Sequence, residues 1–165
     1  MTKVKFFLLI IVSLLLWPYV VLLSVFRKEP ISGQFRILVV PQLTRIGDLV
    51  CATPVFRAIK ERFPESYLAV LVSGKSWQIL KNNPRIDQII FYEDKKLISK
   101  LRQINFDYSI ALTNNPIPSV LSVIAMISNR IKTVIADHSW SEWLTDWLNT
   151  NTFLYYHHTY LPRHY

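Results

Sequence analysis

RILVVPQLTRIGDLVCATPVFRAIKERF, residues 36–63, begins with a short apolar run rich in β-branched residues, which is typical of a buried strand. After a polar loop, apolar residues recur at spacings of three and four: Leu49, Ala52, Phe56, Ile59 and Phe63. This spacing predicts one helix over residues 48–63, which Pro64 ends. A buried strand followed by an amphipathic helix is the first half of a βαβ unit.

The same alternation continues toward the carboxyl terminus. Short apolar runs predict further strands at residues 67–72, 87–92, 108–112 and 131–136. Between them we expect helices at residues 76–82, 94–104 and 117–128. The last of these is apolar on nearly all sides, which predicts a buried helix. This order predicts an α/β fold, a single Rossmann-like domain with a parallel sheet and helices on both faces.

The amino-terminal segment is different in character. Residues 6–26, FFLLIIVSLLLWPYVVLLSVF, contain no charge over 21 positions. A helix of that length spans about 31 Å, close to the thickness of a bilayer's hydrocarbon core. A signal peptide is the alternative, but its apolar region is shorter and it ends in a small-residue cleavage site, which is lacking here. We therefore predict an uncleaved transmembrane helix, with a kink or a re-entrant path left open by Pro18.

These features divide the chain into three parts. Residues 1–26 are the predicted membrane anchor, and residues 27–35, which combine charge with Pro, Ser and Gly, are a linker. Residues 36–165 form the predicted Rossmann-like domain, and its abrupt aromatic ending suggests a truncated one. Two lysines precede the apolar run and four basic residues follow within about 20 positions, which favours a cytoplasmic location for the domain.

Composition limits the function classes. The chain has 51% hydrophobic residues and a mean hydropathy of +0.23, so it is not a disordered chain. A single cysteine, Cys51, excludes an internal disulfide and a cysteine-based zinc site. All 11 acidic residues and 17 of the 19 basic ones follow residue 26, which gives that part a charge of +6. This excess suits an anionic membrane face or an acidic ligand and is too small to indicate nucleic acid.

The loop after the first predicted strand is the first place to look for a ligand site, since ligands of open α/β sheets bind beyond the carboxyl ends of the strands. Residues 41–48, PQLTRIGD, contain neither a dinucleotide fingerprint nor a P-loop. Gly47 permits a tight backbone entry into the following helix. Asp48 at the helix start has two interpretations, a helix cap or a general base that takes a proton from a hydroxyl.

Combined motifs in this region resemble glycosyltransferase family 9, the heptosyltransferases of lipopolysaccharide core assembly. The similarity rests on Ile37–Val40, Leu43–Val50, Thr53-Pro54, Phe56–Lys60, Phe63-Pro64, Leu68–Ser73, Asn83–Asp87 and Phe106–Tyr108. It extends over about residues 36–165 and corresponds to the amino-terminal half of a full-length member. Gln42 departs from the pattern, since many members have a basic residue there.

The resemblance implies a GT-B fold, in which an amino-terminal domain binds the acceptor and a second domain binds the nucleotide-sugar donor. It also implies that Asp48 is the catalytic base. From their positions at the ligand edge, we expect Thr44, Arg45, Gly47 and Asn114 to contribute to acceptor binding. For Thr44 the alternative is a turn-stabilising hydroxyl, and for Arg45 a solvated side chain. For Asn114, and for Asn115 beside it, the alternative is ordinary turn chemistry.

Other candidate residues have simpler interpretations. We expect Cys51 to be a packed thiol rather than a nucleophile. His157, His158 and His164 match no known metal-site spacing, and we expect neither a metal ion nor a cofactor. The tryptophans at 140, 143 and 147 are interpreted as core rather than as a sugar-stacking platform.

Three functions follow from these residues and from the resemblance. The first is the acceptor-binding half of a membrane-anchored heptosyltransferase-like enzyme, inactive as this chain alone. Its partners would be the bilayer, a glycolipid acceptor and, only with a second domain, a nucleotide-sugar donor. Its location would be the inner membrane, with the domain on the cytoplasmic side. The second is a truncated non-catalytic remnant or membrane-anchored binding module. The third is an unrelated nucleotide-binding α/β protein, which the absent fingerprint disfavours.

Overall fold

The computed structural model describes residues 3–26, 34–43, 45–113, 115–127 and 129–132. Its helices are α1 (Lys3–Phe26), α2 (Ile46–Cys51), α3 (Thr53–Arg62), α4 (Leu97–Ile104) and α5 (Ile117–Ile124). Its strands are β1 (Arg36–Pro41), β2 (Tyr67–Val72), β3 (Gln88–Phe91), β4 (Tyr108–Leu112) and β5 (Asn129–Lys132). The predicted helix at residues 76–82 is reduced to a short 3₁₀ turn, Trp77–Ile79.

The five strands form one parallel sheet in the order β3-β2-β1-β4-β5. The central strand β1 pairs on both sides, and Val39 lies opposite Val70 of β2 and Ile110 of β4. Because every strand is linked to the next through a helix or a helical turn, the parallel arrangement follows from the chain order. The predicted α/β fold with a parallel sheet is confirmed.

Helices cover both faces of the sheet, as the sequence predicts. Successive residues of β1 point to opposite faces, so Ile37 and Val39 pack toward the helices that follow β1. Phe56 of α3 is fully buried on that face. Leu38 and Val40 pack on the other face, in a cluster that includes residues of α4 and α5. Burial of one such side chain contributes roughly 1.5–3 kcal/mol.

The single helix predicted at residues 48–63 is wrong. The chain forms α2 and α3 instead, separated at Ala52. Pro54 lacks an amide hydrogen, so it cannot continue α2 but fits the first turn of a new helix. The predicted buried face survives the break, because Leu49, Phe56 and Ile59 are all buried.

The last described strand begins earlier than predicted, at Asn129 rather than residue 131. Residues 133–136 of that prediction lie outside the described part. Arg130 explains the missed start, since its charge breaks the apolar pattern although its side chain is fully buried. Its guanidinium donates to the carbonyl of Ile127, and burial lowers the pKa of Arg130 to about 10.

Helix α5 is buried on all sides, which confirms the prediction for this region. Every residue from Pro118 to Ile124 is buried. Leu121 packs into the sheet-side core with α4. Val120, Val123 and Ile124 face away from the sheet and pack against α1.

Helix α1 therefore forms a third layer behind α5. Ile10 and Val20 are buried in the contact, and Leu9, Leu16 and Trp17 pack around them. Among the described residues, no helix is both long enough and apolar enough to cross a membrane. The predicted transmembrane anchor is therefore not confirmed. The division into anchor, linker and domain stays a prediction.

Candidate active site at the carboxyl edge of the sheet

The strand order identifies where a ligand site should lie. From β1 the chain proceeds outward through β2 to β3 and then crosses back to β4 on the other side of β1. The switch point is thus between β1 and β4, and open α/β sheets bind ligands at the carboxyl ends of such a strand pair. The loop of residues 42–45 follows β1 here, and the loop of residues 113–116 follows β4.

Asp48 lies in the first turn of α2, the helix that follows β1 at this edge of the sheet. It is exposed, and no described residue donates a hydrogen bond to its carboxylate. The backbone carbonyl of Asp48 is used in the helix, where it accepts from the amide of Ala52 at 3.0 Å. Since the cap interpretation requires amide donors to the carboxylate, the described geometry leaves this oxygen pair available to a ligand.

Arg45 occupies the cap position of α2 that the sequence analysis considered for Asp48. Its backbone is extended, with φ −113° and ψ 115°, and its side chain makes no capping hydrogen bond. The side chain is exposed. An exposed cation three positions before an exposed carboxylate can meet an anionic group of a ligand whose hydroxyl approaches Asp48.

Gly47 is not required by the local backbone, which corrects the sequence-based argument. Its φ lies outside the left-handed region, and a Cβ added there would meet no described atom within 4 Å. The turn therefore does not need a glycine for its conformation. Open space next to Asp48 does leave room for a ligand to approach the backbone closely.

The β4 side of the switch point is held by turn contacts. Thr44 and Asn114 lie outside the described residues, so the structure does not place these two predicted acceptor residues. The side-chain oxygen of Asn115 accepts from the backbone amide of Ile117 at 3.0 Å, and the backbone amide of Asn115 donates to Thr113 Oγ1 at 3.2 Å. Asn115 therefore performs the turn chemistry that the sequence analysis left as its alternative.

A hydrogen bond joins the loops after β2 and β3, and the sequence analysis did not predict it. The amide of Gly74, after β2, donates to the Glu93 carboxylate after β3, at 3.1 Å to Oε2. The nearby hydroxyls of Ser73 and Ser76 are buried and lie 3.0 Å apart. The backbone amide of Gly74 in the Ser73-Gly74-Lys75 loop is thus already hydrogen-bonded to a carboxylate of the same chain.

The prediction for Cys51 is wrong. The thiol is exposed at the end of α2, because Leu49 and Ala52 occupy the buried side of this short helix. The three carboxyl-terminal histidines and the tryptophans at 140, 143 and 147 lie outside the described residues. Within the described ranges, no three His, Cys, Asp or Glu side chains gather as a metal site would require.

The chain is similar in sequence and in fold to several known proteins. No family model matches the chain. A curated relative, lipopolysaccharide heptosyltransferase 3 of Escherichia coli, is 26% identical over 98 residues, covering 52% of this chain and 28% of the relative. A solved structure, E. coli ADP-heptose lps heptosyltransferase II, superposes with a TM-score of 0.57 at 21% identity, covering 69% of this chain and 33% of that one. Over part of its length the chain thus resembles heptosyltransferases of glycosyltransferase family 9.

A second solved structure carries the family in its name. The glycosyl transferase family 9 structure from Veillonella parvula DSM 2008 superposes with a TM-score of 0.50 at 19% identity, covering 69% of this chain and 40% of that one. At these identities the structural similarity shows the fold. The chain spans 28% of the curated relative and 33–40% of the two solved structures.

Proposed function

We propose that this chain is the acceptor-binding half of a heptosyltransferase-like glycosyltransferase. In the complete enzyme, a sugar would pass from a nucleotide-diphosphate sugar to a hydroxyl of a lipopolysaccharide-type glycolipid. Homology to heptosyltransferases supports the reaction class, and the names of the relatives point to lipopolysaccharide and ADP-heptose. The observation that carries the proposal is the open Asp48 carboxylate beside the β1–β4 switch point.

Asp48 acts in this proposal as the general base. It takes the proton of the acceptor hydroxyl while that oxygen bonds to the anomeric carbon of the donor sugar. The bond from that carbon to the diphosphate oxygen breaks, and the nucleoside diphosphate leaves with the electron pair. Attack from the side opposite the leaving group gives inversion. A positioned base of this kind contributes about 10²–10⁴-fold to the rate.

The neighbouring residues position the acceptor. Arg45 meets a phosphate or carboxylate of the glycolipid, since its exposed guanidinium has no capping role. The absence of a side chain at Gly47 lets the acceptor come close to the backbone next to the base. Thr44 and Asn114 are proposed to bind sugar hydroxyls on the β1 and β4 sides of the site.

The donor requires a second domain in this scheme. The loop after β1 contains no glycine-rich segment that could bind the donor's phosphates. The backbone amide of Gly74 after β2 is already hydrogen-bonded to Glu93. We place the working complex at the cytoplasmic side of the inner membrane, where a lipid-borne acceptor and α1 would share one surface. A non-catalytic binding module is the second candidate function.

A reconstitution experiment separates these two candidates. The chain is expressed together with the coding sequence that follows Tyr165, or with a separate donor domain from the same genome, and is assayed with ADP-heptose and a truncated lipopolysaccharide. Transfer that depends on both parts supports the enzyme. Glycolipid binding without transfer in every combination supports the binding module and contradicts the proposal.

A further inference from the structure

Helix α1 has two apolar faces, and the domain uses only one of them. Its buried side packs on α5 through Ile10 and Val20. The opposite side exposes large apolar side chains along most of its described length: Phe7, Leu8, Ile11, Val12, Leu14, Leu15, Tyr19 and Leu22. At 100° per residue these eight positions fall within one arc of about 160°, centred opposite the α5 contact. Leu15 at its centre is 73% exposed.

We propose that this face rests on a lipid bilayer, with α1 lying in the plane of the membrane rather than across it. The proposal rests on the membrane association included in the proposed function and specifies its geometry. Eight exposed large apolar side chains on one helix face form a contiguous apolar patch, and such patches mark sites of interaction with a membrane or a protein. Because α5 covers its other face, α1 offers apolar side chains to a membrane on one side only, which is the condition for a helix to lie at the boundary between headgroups and acyl chains.

The packing on α5 opposes a spanning arrangement. Contacts from Leu9 to Val20 tie about 17 Å of α1 to the domain. Ile98 of α4 belongs to the same cluster, and Arg102 of α4 donates to the carbonyl of Ile124 at 2.9 Å. If this length of α1 entered the hydrocarbon core, charged residues of α4 would have to follow, which is costly.

Charge favours a bilayer over a protein partner on this face. Between residues 7 and 22 the sequence contains no charged residue, and its only serine, Ser13, is buried and donates to the carbonyl of Ile10. Protein interfaces normally include a polar rim with hydrogen bonds, for which the described side chains of this face offer only the Tyr19 hydroxyl. Basic residues flank it in the sequence, Lys3 and Lys5 before and Arg27 and Lys28 after, and such cations attract anionic headgroups.

The orientation suits a lipid-borne acceptor. Leu9 lines a cavity of about 500 Å³ together with Tyr92, Glu93 and Asp94 of the loop after β3. That loop lies at the carboxyl edge of the sheet, the edge that also carries Asp48. A bilayer against the exposed face of α1 would thus lie beside the candidate site.

Depth measurement tests the geometry directly. The full chain is synthesised cell-free with vesicles of phosphatidylcholine and phosphatidylglycerol, in a Cys51→Ser background with Leu8→Cys, Leu15→Cys or Leu22→Cys. An environment-sensitive fluorophore on each cysteine reports its depth. The three positions share the exposed face, so equal shallow depths are expected. A profile with Leu15→Cys near the bilayer centre and the other two near opposite surfaces would overturn the inference.

Flotation with vesicles supplies the second measurement. The double variant Leu8→Glu/Leu15→Glu should lower the partition coefficient at least tenfold, while Ile79→Glu, an exposed apolar position on the 3₁₀ turn, should leave it unchanged. Alkaline carbonate should release the unmodified chain from membranes. Carbonate resistance contradicts the in-plane geometry but not membrane association. Dimerisation without vesicle binding contradicts both, and transferase activity is a separate readout for the chemistry.

Discussion

The hydroxyls of Ser109 on β4 and Ser122 on α5 lie 2.6 Å apart in the buried core. Ser122 also donates its one hydrogen to the carbonyl of Pro118 at 2.7 Å, so Ser109 is the donor within the pair. The bond joins the strand before the 113–116 loop to the helix after it. It therefore holds one side of the candidate site.

Removing the acceptor of this pair should cost more than removing the donor. Ser122→Ala leaves the buried Ser109 hydroxyl without its acceptor, and we expect a loss of about 1–3 kcal/mol in the free energy of unfolding. Ser109→Ala should cost about 1 kcal/mol, since Ser122 keeps its bond to Pro118. Denaturant unfolding of the two single variants and the double variant measures this. A double variant as unstable as the sum of both would contradict the pairing.

Shortening a side chain to alanine should affect stability differently on the two faces of α1. Val20→Ala opens a space against α5 and should destabilise the chain by about 1–3 kcal/mol. Leu15→Ala lies on the exposed face and should stay within about 0.5 kcal/mol of the unmodified chain. Thermal unfolding in mild detergent compares them. Equal effects would show that α1 does not pack on α5 as described.

Gly47→Ala should separate folding from function. The position is helical, not left-handed, and has open space, so alanine should leave stability unchanged or raise it by up to about 1 kcal/mol. In the completed enzyme the added methyl group should raise KM for the acceptor. Gly74→Ala is the matched control, because its surroundings are equally open and it follows β2 rather than β1. Unchanged acceptor kinetics for Gly47→Ala would remove this residue from the site.

This chain, without a second domain, should not transfer sugar. Its proposed partner domain holds the donor, and without it the contribution of positioning to the rate, about 7–11 kcal/mol at best, is lost. Calorimetric titration with nucleoside diphosphates and an assay with radiolabelled donor check this. Micromolar nucleotide binding or multiple turnovers by this chain would refute the division of roles.

The sheet was predictable because parallel strands are buried on both faces and therefore appear as continuous apolar runs. The position of Asp48 at the carboxyl edge followed from the same pattern. The break at Ala52 was also present in the sequence, since Pro54 cannot continue a helix, but the regular spacing of Phe56 and Ile59 concealed it.

Contacts between distant elements were not predictable. Helices α1 and α5 are apolar on nearly all sides, so no periodicity indicates which face of either meets the other. The bond between Gly74 and Glu93 joins residues 19 positions apart and depends on the adjacency of β2 and β3. Arg130 broke the apolar pattern of β5 although it is buried.

The central claim is that Asp48 is the base. Asp48→Asn preserves the size of the side chain and removes its ability to take a proton. Because no described group donates to this carboxylate, stability should be nearly unchanged. Asp107→Asn is the matched control, since Asp107 lies at the opposite edge of the sheet and accepts from the amide of Arg36 at 2.8 Å.

The most direct test is the kcat of sugar transfer by the completed enzyme, measured for both variants together with their thermal unfolding. The account predicts a fall of at least about 10²-fold for Asp48→Asn, with an unchanged melting temperature. Asp107→Asn should retain the kcat of the unmodified enzyme. Retained activity of Asp48→Asn together with a melting temperature several degrees lower would show that Asp48 is a helix cap and not the base.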